Sequence, residues 1–213
     1  MADLKLVPVP TRILTNKDNI VDAIMEYAGH DITNHDIVCV AESVVAITQG
    51  RYIRPEELHI CWQARLMNRF VPGAGSMASI YGMQAAMEEE GKWNMLFSFI
   101  IGAVAKIFGK AGVFYARCRQ ASLIDDVTGT MPPFDKCLVY GPADTDRVCE
   151  EIKNATGAYG AVIADVNDLK RSAVLGKSKG INPGQIAKIL IDNPFGNCLL
   201  YTSDAADDTP CVD

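Results

Sequence analysis

Histidine is scarce in this 213-residue chain: His30, His35 and His59 are the only three, and none stands at metal-ligand spacing from another. They read as surface residues. Seven cysteines are scattered with no CxxC pair, which gives no zinc-ribbon or thioredoxin pattern, so they read as reduced, mostly buried thiols. Basic charge is short as well, with 20 Lys and Arg against 26 Asp and Glu and a net charge of −6, so there is no global footprint for nucleic acid. No GxSxG turn marks a covalent nucleophile, and no GxxxxGK[ST] loop marks a nucleotide triphosphatase. The start, "MADLKLVPVP", lacks a basic segment followed by an apolar core. No secretory signal is expected, and the expected compartment is the cytoplasm.

Long apolar runs are missing too. The longest, within "KWNMLFSFIIGAVAKIFGKAG", is about eleven residues, against the roughly twenty that a membrane span needs. The expectation is a buried helix rather than membrane association. The alternative is a helix lying on a membrane surface, with Lys92, Lys106 and Lys110 at the interface.

What the chain does have is an ordinary globular composition, 49% hydrophobic and 22% charged. Residues 4–9 read as a strand, and Asp18 as the start of a helix to about Ala28. "DIVCVAESVVAIT" (36–48) reads as a long central strand. Pro55 opens a predicted helix to about Phe70, and two more are expected at 77–90 and 92–108. Residues 113–117 and 136–140 are strand candidates. Asp144 is the expected cap of a helix to about Ala155. Strands follow at 161–166 and near 173–175, with a last helix from Pro183. The strands at 136 and 161 flank a helix of suitable length, so one βαβ crossover is expected and the fold class is α+β. The tail "CLLYTSDAADDTPCVD" (198–213) has no basic residue and no period after Tyr201. It resembles a translated sequencing adapter, so the expectation is a single domain over 1–197, with a helical insertion at about 55–110 and a non-native tail.

Three constellations could carry chemistry. In "LIDDVTG", the adjacent Asp125 and Asp126 precede a Gly/Pro loop; they suit Mg²⁺ or Mn²⁺, or else a solvated turn. In "AVIADVND", Asp165 ends a strand and Asn167 and Asp168 follow in a turn, again as metal or phosphate groups or as local hydrogen bonders. In "LGKSKG", Gly176 and Gly180 flank Lys177, Ser178 and Lys179, either an anion-binding turn or a basic surface turn. "VPGAGS" is a weak phosphate-loop candidate.

Taken in order, "VCVAESVVAITQGR", "LIDDVTG", "VIADVND" and the following Val-Leu-Gly and Gly-Ile of 174–181 resemble the coenzyme F(420)-0:L-glutamate ligase family. The similarity spans residues 6–197. The middle segment "RFVPGAGSMASIYGMQAAMEEEG", with "FGKAGVFY" and "NPFGN", looks like a shorter, divergent branch. The resemblance implies a ligase-like mixed sheet with packed helices and a homodimer. It also implies GTP- or ATP-dependent joining of a carboxylate to an amino acid such as L-glutamate, through an acyl phosphate and with Mg²⁺ or Mn²⁺ bound. It places metal ligands at Asp125 and Asp165 and nucleotide contacts at Thr11, Arg12, Ser43 and Thr128; Asp168 of the strand-end turn and Lys177 of the candidate anion-binding turn join these sets on their local sequence. Glu42 stands at the first position of a Ser/Thr pair, Ile47 at a phosphate-facing lysine, and Val166 at a threonine. A ligand-binding protein that kept the fold without the nucleotide site is the alternative reading.

Overall fold

The structure is a computed structural model that describes residues 6–71, 79–110, 112–125, 132–167 and 171–190, with backbone alone at 166, 167, 171 and 172. The chain forms two compact units, one of residues 1–50 and 142–213 and the other of residues 51–141. The α+β class holds: helices pack on a mixed sheet that contains one parallel pair.

In the first unit, strand β1 (Ile37–Ala41) lies parallel to β4 (Gly160–Asn167), which in turn pairs antiparallel with β5 (Arg171–Lys177). Helix α1 (Ile20–Ala28) is capped by Asn19, whose Oδ1 accepts from the amides of Val21 (2.8 Å) and Asp22 (3.3 Å). Asp18, the expected helix start, is instead turned to Arg12 and Thr15 just before it. Helix α2 (Glu42–Thr48) follows β1 with no linker, so the predicted long strand is half strand and half helix. Helix α7 (Thr145–Thr156) begins at Asp144, which sits in the left-handed region (φ 47°) and makes no side-chain cap bond. Helix α8 (Pro183–Leu190) closes the unit.

Strand β4 is apolar on both faces because both are covered. Ala161 and Ile163 pack with Val40, Val45, Val148 and Ile152 from β1, α2 and α7. Val162 and Ala164 pack against Ile181, Ile186 and Leu190. The parallel partner of β4 is β1, joined by a crossover that contains α7, and not the strand near 136. Residues 6–9 form no strand: Val7 and Val9 are exposed, and Pro8 and Pro10 each lack a ladder donor.

The second unit holds β2 (Tyr52–Ile53) and β3 (Leu138–Val139), paired antiparallel, and helices α3 (Trp62–Asn68), α4 (Ile80–Glu90), α5 (Lys92–Ile107) and α6 (Val113–Arg117). Pro55 opens only a single 3₁₀ turn, and the helix proper starts at Trp62. Residues 113–117 are helical because Phe114 packs edge-on to Phe99 of α5 (6.1 Å between ring centres), a tertiary contact that overrides β propensity. The core of this unit is built on Met67, Met83, Met87, Met95, Ile124 and Leu138. Its two ends are tied together: the Arg51 Nε–H donates to the Gly141 carbonyl (2.7 Å), and the Arg51 guanidinium pairs with Glu89.

Helix α5 is not the buried helix that its apolar run suggests. Met95 and Ser98 are buried, but Trp93, Phe97, Ile100, Val104, Ile107 and Phe108 are exposed. Among the described residues no helix is long and apolar enough to cross a membrane.

Candidate functional site at the carboxyl ends of the parallel strands

The first unit gathers polar groups where its two parallel strands end. The register sets Val40 beside Ile163 and Ala41 beside Ala164. Asp165 is therefore the next residue on one strand, and Glu42 and Ser43 are the next on the other. Side chains alternate along a strand, so Asp165 continues the row Ala161–Ile163 on the face that α2 covers through Val45. In open α/β sheets the crevice outside the carboxyl ends of parallel strands is where ligands bind.

Asp165 is half-buried there, and burial raises its carboxyl pKa, because an ionised carboxylate gives up hydration when it is buried. Ser43 is half-buried in the first turn of α2. Glu42, immediately before it, is buried although it is a carboxylic acid. The sequence points to Ser43 and Asp165 separately, and to Glu42 only as a departure from a Ser/Thr pair, with no role of its own. The signal that could have found it is one acid, next to Ser43, inside an otherwise apolar eleven-residue run (37–47). An acid at the start of a helix is favoured by the peptide dipoles, so the position suits a charge that a cation or a ligand donor could share.

Asp125 belongs to the second unit. Its amide donates to the Val139 carbonyl (2.9 Å), and its carbonyl accepts from the Val139 amide (3.0 Å), so a two-bond bridge fixes its backbone just before the Gly/Pro loop. Its side chain is half-buried. Thr128 and Asp168, along with Asp126, lie outside the described residues. Among the described residues, no group of three His, Cys, Asp or Glu side chains converges on one ion. The donor chemistry at Asp165 nonetheless fits Mg²⁺ or Mn²⁺: a hard cation prefers carboxylate oxygens, and it would offset the charge that burial disfavours.

Lys177 pairs with Val162, three residues back along β4 from Asp165, or roughly 10 Å at the rise of a strand. Its ammonium donates to the Ile181 carbonyl (3.3 Å). The amides of its turn are already taken by carboxylates of α7: Lys177 N–H donates to Asp146 (2.8 Å) and Lys179 N–H to Glu150 (2.5 Å). Ser178 is buried, with its Oγ accepting from the Ala161 amide (2.9 Å). Thr11 is half-buried upstream of α1. Arg12 grips Asp18 with two bonds (2.7 and 3.0 Å) and holds that carboxyl well below the usual range. All three histidines are exposed, as their sequence context suggests. A shallow depression of about 430 Å³ at the start of α7, lined by Asp144, Thr145, Asp146 and Arg147, contains none of the expected site residues.

The family model described as F420-0:Gamma-glutamyl ligase matches residues 8–166, about three quarters of the chain. No curated protein matches it.

Proposed function

The chain belongs to the F420-0:gamma-glutamyl ligase family, and from that premise we propose that it joins the amine of an amino acid such as L-glutamate to the carboxylate of a small-molecule substrate, using GTP or ATP together with Mg²⁺ or Mn²⁺. In this reading the substrate carboxylate takes the γ-phosphoryl group, and the nucleoside diphosphate leaves as the β–γ phosphoanhydride bond breaks. The amine then attacks the acyl carbon, inorganic phosphate leaves, and the nitrogen loses a proton. A divalent cation, when bound, neutralises phosphate charge. Asp165 would hold it, with Asp168 in the adjoining turn; for Asp125, in the second unit, the metal role is the one the family resemblance implies. Ser43 would present a hydroxyl to the nucleotide at the start of α2, and Thr11, Arg12, Thr128 and Lys177 would be the remaining contacts. The protein would act as a homodimer.

The observation that supports this reading is that Asp165 on one strand and Glu42 and Ser43 on the other directly follow Ala164 and Ala41, where the parallel pairing of β4 and β1 ends.

A second reading rests on Ile47. It is buried within α2, 9% exposed, where the resemblance places a phosphate-facing lysine. A protein that binds a carboxylate ligand without phosphoryl transfer would have this arrangement. The two separate in one assay, in which the full chain is incubated with Mn²⁺, GTP or ATP, L-glutamate and a panel of small carboxylic acids. The ligase reading expects phosphate release that requires both glutamate and one of the acids. Asp165→Ala should lower it by more than the 10- to 100-fold typical of groups that merely support metal ligands. Saturable binding of an acid with no phosphate release would establish the second reading instead.

A further inference from the structure

We propose that the exposed face of α5, with Trp62 of α3 beside it, docks the protein on an anionic lipid surface. This inference is independent of the ligase reading. Trp93, Phe97, Ile100, Val104 and Ile107 recur at intervals of four, three, four and three residues, which aligns them along one side of the helix. All are exposed, and Ile107 (82%) and Phe108 (78%) are almost entirely in solvent. Exposed apolar residues scattered singly are ordinary, but a continuous row of this kind marks an interaction surface. Both tryptophans of the chain lie on it. Trp62 meets Trp93 edge-on at 6.4 Å between ring centres, and Trp93 lies 6.3 Å from Phe97. Indole rings, apolar with one N–H, are suited to the boundary between acyl chains and headgroups.

Charge selects the occupant. Residues 91–124 carry five cations, Lys92, Lys106, Lys110, Arg117 and Arg119, and no carboxylate, in a chain whose net charge is −6. A second copy on this face would set like charges against each other. A surface of anionic headgroups would be complementary, with lysine ammonium groups reaching out beside the buried apolar row. At 16 residues α5 is about 24 Å long, shorter than a bilayer core, so it would lie in the plane of the interface.

The test uses the full chain with unilamellar vesicles of phosphatidylcholine alone, or mixed with phosphatidylglycerol. The two tryptophans report directly. We expect a blue-shifted emission and co-flotation with the anionic vesicles, an affinity at least about tenfold above that for neutral ones, and weakening as salt is raised. Ile107→Ser with Phe108→Ser, and separately Lys106→Glu with Lys110→Glu, should each reduce binding at least tenfold while leaving the thermal midpoint unchanged. Failure of the wild type to float with anionic vesicles would overturn the proposal, as would equal binding to both vesicle types. So would a lipid-free, concentration-dependent blue shift accompanied by a dimer mass that Ile107→Ser/Phe108→Ser halves, since a second copy would then cover the face.

Discussion

Asp165 closes the apolar row of β4 with a carboxyl that burial makes a weaker acid than usual. The native state therefore holds this proton to a higher pH than the unfolded chain does. Stability from the protonated form is present below the ordinary value of 3.8 and is lost as pH rises through the raised native value. Asp165→Asn removes the charge and keeps the shape. In metal-free buffer at neutral pH the variant should be no less stable than the wild type in a urea titration, and this part of the pH dependence should vanish. Mn²⁺ at about a hundred times its Kd should stabilise the wild type by about 2.7 kcal/mol and the variant by much less. Equal stabilisation of both would remove Asp165 from the metal site. As a residue Asp165 was legible in the sequence, because an acid ending an apolar run stands out. Glu42 was not, because its meaning comes from a neighbour more than a hundred positions away.

At the scale of elements, α7 sits so close to β5 that there is no room for a side chain at Gly176. A Cβ there would lie 2.6 Å from the Thr145 backbone carbon, and backbone cannot swing aside as a side-chain tip can. Thr145 Oγ1 also donates to the Leu175 carbonyl at 2.8 Å, fixing the helix start against the strand. Gly176→Ala should therefore cost about 1–3 kcal/mol, the usual penalty of overpacking, read as a lowered denaturation midpoint with an unchanged slope. A neutral effect would show that the start of α7 can move. The glycine had suggested an anion-binding turn, and close packing explains it equally well. Elements with a clear period or a glycine boundary, such as α4, α5, β4 and β5, were readable in advance. The division of "DIVCVAESVVAIT" into β1 and α2 was not, since a run rich in valine and isoleucine has no period to betray where the backbone changes. Nor could the exposure of α5 be read, because an apolar helix looks the same whether a core or a partner covers it.

At the scale of the molecule, the chain leaves the first unit after Gly50 and returns to it at Pro142. The return point is pinned within that unit by a reciprocal pair: Gln49 Nε2 donates to the Ala143 carbonyl (2.9 Å), and the Ala143 amide donates to Gln49 Oε1 (2.8 Å). The parallel pairing of β1 with β4, on which the candidate site depends, thus spans the whole intervening unit. Strand pairing across such a separation leaves no local trace, which is why the sequence suggested residues 136–140 as the crossover partner of β4. The central claim is that this strand-end site takes a metal–nucleotide complex. The most direct measurement is calorimetric titration of GTP, and separately ATP, with Mn²⁺ into the full chain and into Asp165→Ala. The account predicts saturable binding that requires the metal and weakens at least about tenfold in the variant. Absence of any metal-dependent nucleotide binding by the unaltered protein would contradict it.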